Sequence, residues 1–103
     1  MELTSKMFNS VIQSETPVMV EFWGSWCPPC QWMKTVMNKL EADYKDKLSI
    51  AHINIDRNPE PSQEFQISGV PTYIIFQKGK ILHRDVGAKS EQQLRTIIDT
   101  VIQ

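Results

Sequence analysis

Two cysteines three residues apart, Cys27 and Cys30, lie between an apolar run of strand length and a segment with helical spacing. That junction constrains the fold more than any other stretch of the chain. The run is Val18-Met19-Val20-Glu21-Phe22-Trp23, and short runs of this kind belong to strands buried on both faces. Gly24-Ser25 makes a turn, and Trp26-Cys27-Pro28-Pro29-Cys30 follows. Beyond it, Trp32, Met33, Val36, Met37, Leu40 and Tyr44 mark the buried stripe of a helix from about Pro28 to Tyr44. Two prolines in a first helical turn cost no intrahelical bond. A Cys-x-x-Cys pair at such a junction sets the first thiol over the helix N-terminus. Unpaired N–H groups and the helix dipole favour a thiolate there. A thiolate beside a second thiol is the minimum needed to make and break disulfides.

The chain holds no other cysteine, which limits the other readings of the pair. Structural disulfides of small secreted domains close longer loops and come in larger numbers. A zinc site needs about four ligands, and only His52 and His83 remain as soft donors, in no second ligand pair. A haem attachment motif needs His after the second cysteine, and residue 31 is Gln. Redox chemistry is left, with no metal. The 103 residues make one domain, 1–103, with a single core. With 11 basic and 12 acidic residues there is no basic stripe, so no nucleic-acid partner is expected. No apolar stretch approaches the ~18 residues that span a membrane, so no membrane partner is expected. The opening Met1-Glu2-Leu3-Thr4-Ser5-Lys6 lacks a basic start followed by an apolar run. No signal peptide is therefore expected, and the cytoplasm is the default location.

Along the chain, Thr4 to Glu15 reads as a first helix, with Thr4 or Ser5 as cap and Met7, Phe8, Val11 and Ile12 inside. Pro17 ends it. Leu48–Ile55 reads as a second strand, and Asn58-Pro59-Glu60-Pro61 opens a short helix ending near Gln66. Gly69-Val70-Pro71 is a turn, and Thr72–Gln77 is a third strand. Lys78-Gly79-Lys80 turns it back into Ile81–Val86 as a hairpin. Ser90-Glu91-Gln92-Gln93 is a capping box for a last helix, with Leu94, Ile97, Ile98, Val101 and Ile102 inside. Trp23, Phe22, Phe76 and Tyr73 read as core. The first two strands, joined through a helix, should be parallel with a right-handed crossover. The last two form a hairpin, so helices must cover both faces of a mixed sheet.

With these motifs in order, the chain resembles the thioredoxin family over nearly its whole length. The landmarks are Glu21-Phe22-Trp23, Trp26-Cys27-x-Pro29-Cys30, Asn54-Ile55-Asp56-x-Asn58-Pro59, Gly69-Val70-Pro71-Thr72, Phe76-x-x-Gly79 and Val86-Gly87-Ala88. Each alone is weak; their order and spacing together are specific. The resemblance implies the α/β thioredoxin fold: a central mixed sheet of four strands, or five with a short N-terminal one, flanked by four helices. It implies a protein-disulfide reductase with no bound cofactor, working through a Cys27–Cys30 disulfide. The expected partners are protein disulfides and a thioredoxin reductase or similar electron donor, and the default state is a monomer. Four positions depart from the family pattern. Pro28 stands where Gly is usual, Glu21 where the buried acid is usually Asp, and His52 where a Lys commonly faces that acid. Thr35 stands at the place of a helix-kinking proline.

Within that frame Cys27, partly exposed at the helix start, is the expected nucleophile, and Cys30, one turn further in, resolves the mixed disulfide. Glu21 is a charge inside an apolar strand and is expected to be buried. It matches the family's acid and would accept the Cys30 proton, through water. The plainer reading of His52 is a half-buried strand histidine with no role. If it faces Glu21, it would share in handling the proton. Pro28 removes an N–H near Cys27 and stiffens the loop. Pro71 is the expected cis proline by family position, with the Val70 backbone pairing with an extended substrate strand. Trp26, Pro29, Val70, Pro71, Gly87 and Ala88 would form an apolar docking rim. Two other readings stay open: a disulfide oxidase or isomerase outside the cytosol, and a binding module of the same fold without turnover.

Overall fold

Val18–Trp23 is the strand that everything else is built around, because five of its six residues are buried. In the computed structural model, which describes residues 1–103, it becomes β2 of a five-stranded sheet. The order along the chain is β1 (Glu2–Leu3), α1 (Ser5–Ile12), β2 (Val18–Trp23), α2 (Pro28–Tyr44), β3 (Ser49–Asn54), α3 (Pro59–Glu64), β4 (Thr72–Gln77), β5 (Lys80–Val86) and α4 (Glu91–Val101). Across the sheet the order is β1-β3-β2-β4-β5. β3 runs parallel to both β2 and β1, β4 runs antiparallel to β2, and β5 returns antiparallel to β4. This is the mixed sheet of the thioredoxin fold, with four helices.

Alternation along β2 divides the interior in two. Val18, Val20 and Phe22 join Phe8 and Ile12 of α1 and Ala51, Ile53, Ile74 and Phe76 on one face. Met19 joins Ile50, Tyr73 and Ile75 beneath Met33, Met37 and Leu40 of α2 and Leu94 and Ile98 of α4 on the other. Helix α4 starts with the expected capping box: Gln93 N–H donates to Ser90 Oγ at 3.0 Å, and Ser90 N–H donates to Gln93 Oε1 at 2.8 Å. Its last turns are tied to α2. Tyr44 donates to Asp99 Oδ1 at 2.7 Å, and the Arg95 guanidinium bridges Asp43 and Glu91.

Several expectations need correction. Helix α1 covers Ser5–Ile12 rather than Thr4–Glu15. Thr4 is its cap by backbone position only, without a side-chain bond. Met7 is exposed; Phe8 and Ile12, four apart, carry the buried face. Strand β3 is one residue shorter at each end than Leu48–Ile55. Trp32 is not part of the α2 stripe. It is 72 % exposed, and the buried line is Cys30, Met33, Met37, Leu40, Tyr44. That line steps by three and four residues, which places position 32 off the face. Trp23 is half-buried rather than core. Its indole N–H donates to Glu2 Oε2 at 3.0 Å, and the Lys34 ammonium lies 5.6 Å from the ring centroid.

Candidate active site

Strand register gathers the candidate residues at one end of the sheet. Phe22 near the end of β2 pairs with Thr72 at the start of β4, and Thr72 pairs with Val86 at the end of β5. The segments continuing from these residues, Gly24–Cys27, Val70–Pro71 and Gly87–Ala88, therefore emerge at that same end. The Val70–Pro71 peptide is cis. The Pro71 carbonyl accepts a hydrogen bond from Gly87 N–H at 2.8 Å, which ties two of the three segments together. Gly87 has φ of +96°, in the left-handed region that favours glycine.

Cys27 is the N-cap of α2. Its backbone is extended, and its Sγ accepts a hydrogen bond from Cys30 N–H at 3.1 Å. The two cysteines are joined as a disulfide with their Cα atoms 5.3 Å apart. An N-cap side chain normally bonds the second or third helical N–H. The second residue here is Pro29, so Cys30 supplies the bond. Pro28 is first, where the missing N–H is one that a cap side chain does not use. The missing Pro28 N–H therefore takes no donor from the Cys27 sulfur. Cys27 is 2 % exposed, not partly exposed as expected. Its sulfur is drawn inward by the bond to Cys30, itself 3 % exposed, and by the N-cap hydrogen bond.

Behind Cys30 lies a cavity of about 200 Å³, lined by Cys30, Glu21, His52, Lys34, Asn38 and Glu2 among others. Glu21 is 4 % exposed. His52 sits directly opposite it in the β2–β3 register, with Nδ1 2.9 Å from Glu21 Oε1. Glu21 Oε2 is buried without a partner. A carboxyl held by one oxygen and free at the other, sharing a cavity with Cys30, can exchange a proton there through water. The same register line extends to Glu2 on β1 and to Tyr73 and Asp85 on β4 and β5, a titratable row across all five strands. Burial, and then the charges of Glu21 and Asp85, push the Tyr73 phenol well above its usual range. Its hydroxyl has no hydrogen-bond partner. Tyr73→Phe removes that orphaned group and keeps the ring, so unfolding in urea should show unchanged stability or a gain of about 1 kcal/mol. A loss of that size would mean that the hydroxyl is bonded in solution.

Trp26 is 62 % exposed and held from two sides. Its indole N–H donates to Asp56 Oδ2 at 2.7 Å. Its ring lies so close over Gly24 that a Cβ there would come within 2.9 Å of it. Asp56 is placed by the turn after β3, where the buried Asn54 accepts from the N–H groups of Asp56 and Arg57 through Oδ1. Sequence reasoning missed Glu2, Asp56 and the Tyr73 hydroxyl as neighbours of the site. The Asn54-x-Asp56 turn after a strand was the available signal for one of them. Of the expected rim, Pro29, Val70 and Gly87 are half-buried and Ala88 is exposed, as is Pro28, but Pro71 is buried: at the entry to β4 it lies under the rim rather than on it.

Comparison with known proteins agrees with this geometry. The thioredoxin family model matches residues 1–100. The chain is 36 % identical over 103 residues to a thioredoxin of Alicyclobacillus acidocaldarius, covering all of this chain and 98 % of that one. It is 38 % identical over 92 residues to a thioredoxin of Acidithiobacillus ferridurans, covering 89 % of this chain and 85 % of that one. It is also 36 % identical over 98 residues, or 95 % of its length, to 21 % of a bifunctional thioredoxin reductase/thioredoxin of Mycobacterium leprae.

Proposed function

The chain belongs to the thioredoxin family, and from that premise we propose a directed exchange in which Cys27 attacks and Cys30 resolves. The activity is protein-disulfide reduction by thiol–disulfide exchange, and the redox group is the Cys27–Cys30 pair itself, with no cofactor. The Cys27 thiolate attacks one sulfur of the substrate disulfide, and the other substrate sulfur leaves as a thiolate and takes a proton. Cys30 then loses its proton, through water, to Glu21. Its thiolate attacks Cys27 Sγ and expels the second substrate sulfur as a thiolate, which takes up the proton held by Glu21 through water. Two electrons pass to the substrate with two protons, one from Cys30 and one from solvent, and the protein is left with its disulfide. The observation that carries this reading is the asymmetry of the pair. Cys27 caps the helix mouth, while Cys30 alone lines the cavity with Glu21 and His52.

The paired His52 supports a share for it in handling the Glu21 proton. Trp26, Pro29, Val70, Gly87 and Ala88 form the rim that receives the substrate chain around the disulfide, with the buried Pro71 beneath it setting the Val70 backbone. The exposed, doubly anchored Trp26 supports this. The variant sequence Cys-Pro-Pro-Cys works here as a stiffened loop. The electron donor is a thioredoxin reductase, a pairing supported by the fused relative. We place the protein in the cytoplasm as a monomer of one domain, 1–103, because reduction suits a compartment that keeps thiols reduced. No helix is long and apolar enough to cross a membrane. With NADPH and a thioredoxin reductase, the protein should reduce insulin disulfides over many turnovers. A stoichiometric burst or no reduction would refute the reductase reading.

A further inference from the structure

Trp32 is the most exposed large apolar side chain of the protein, 72 % accessible, and the exchange site described above gives it no task. It lies on the first turns of α2, four residues after the exposed Pro28. Residues four apart share a helix face, and helical side chains lean toward the N-terminus. The indole therefore leans over Pro28 toward the mouth that holds Cys27. It lies five positions after Cys27, about 7.5 Å along the axis. From Phe22 to Met33 there is no Asp, Glu, Lys or Arg, and the exposed positions three or four residues, or one residue, from Trp32 on the helix are Pro28, Gln31 and Thr35. The nearest charges are Lys34, two positions on, and Asp56, which is paired with the Trp26 indole N–H.

We propose that Trp32 extends the docking surface beyond the rim around the cysteines, and that its occupant is the polypeptide carrying the disulfide to be reduced. Covalent chemistry supplies the argument for that occupant. A mixed disulfide forces a substrate chain against Cys27, and Cys27 is too buried to be reached by a chain that stays clear of the helix mouth. A substrate running past Pro28 covers the indole within two or three of its own residues. The uncharged, aromatic strip favours apolar or aromatic residues flanking the substrate cysteine, with recognition insensitive to salt. Exposed indoles that become covered are where binding energy concentrates.

The inference rests on Cys27 being the attacking thiol. The test assumes wild-type reduction of insulin, so failure of that reading would show as no wild-type rate. Dithiothreitol serves as reductant, which leaves the reductase out of the assay. Trp32→Ala should raise KM for insulin about five- to tenfold, with kcat held. Its rate with hydroxyethyl disulfide, too small to reach position 32, should stay within about twofold of wild type. Trp32→Phe should recover most of the loss, and Trp32→Glu should be worse than alanine. An unchanged insulin KM in Trp32→Ala overturns the proposal, as does an equal loss on both substrates. A loss seen only when the reductase is the donor would assign the face to the reductase. A dimer seen by sedimentation that Trp32→Ala dissolves, with the insulin rate intact, would assign it to a second copy. Either result also overturns the proposal.

Discussion

Cys30→Ser is expected to stop turnover after one event and to leave the substrate bound to Cys27. The first step survives the substitution. The Cys27 sulfur keeps its place at the helix N-cap, and its hydrogen-bond donor is the backbone N–H of residue 30, which serine retains. The second step does not survive, because a serine hydroxyl at neutral pH is not a nucleophile toward a disulfide sulfur. Incubated with a disulfide protein, the variant should gain the substrate's mass once, and dithiothreitol should release it. Cys27→Ser should give neither turnover nor adduct. The variant also lacks a cross-link that, over so short a loop, stabilises the oxidised protein by about 2 kcal/mol. It should therefore melt like the reduced wild type. An adduct through Cys30 in Cys27→Ser, with none in Cys30→Ser, would reverse the two roles.

Glu21→Leu should make the protein more stable and a poorer catalyst. The carboxyl sits at 4 % exposure on the face shared with Met19, Ile50, Tyr73 and Ile75, and Oε2 finds no partner there. Burying an unmatched polar atom costs about 1–3 kcal/mol. A leucine of similar size removes that cost, and the half-buried His52 can turn its freed nitrogen toward the cavity. Stability of the oxidised form should rise by about 1–3 kcal/mol, read as a higher denaturant midpoint at constant slope. Resolution of the mixed disulfide should slow by about 10²- to 10⁴-fold, the usual range for a lost proton acceptor. Stopped-flow tryptophan fluorescence can follow it. A destabilised variant with an unchanged second step would make Glu21 a structural residue and leave Cys30 to lose its proton to bulk water.

The parts of this molecule legible in its sequence were those set by local rules. Pro17 and Gly24 bracket β2, so its bounds could be read to the residue. The prolines and the stripe from Met33 to Tyr44 did the same for α2, and Ser90 with Gln93 did it for the start of α4, whose end at Val101 leaves Ile102, expected inside, as its C-cap. Errors came where hydrophobicity was mistaken for burial. Trp32 and Met7 are apolar, but each sits one position off its helix's buried line. Two residues of β1 are too few for a period-two pattern. Contacts that depend on which strands lie side by side had no local signal. Glu21 meets His52 across 31 residues of chain, and Trp26 meets Asp56 across 30. The cis peptide before Pro71 was expected from the resemblance alone. The burial of Cys27, seen here with the disulfide closed, had no signal in the residue pattern.

Helix α2 runs without interruption from Pro28 to Tyr44, with Thr35 continuing its ladder. Seventeen residues make a rod of about 26 Å. At one end it is bolted to α4 by Tyr44, Asp99, Arg95 and Asp43. At the other, beyond the core packing of Met33, it is clasped by its own redox bond and by the Gly24–Ser25 turn leading into it. A rod without a joint cannot bend halfway to accommodate the opening of that bond, so slack released by reduction collects at the mouth. The oxidised and reduced proteins should therefore share one silhouette and differ in looseness at the first turn of α2, from Cys27 to Cys30. A partner that must tell a charged carrier from a spent one has motion to read, rather than shape.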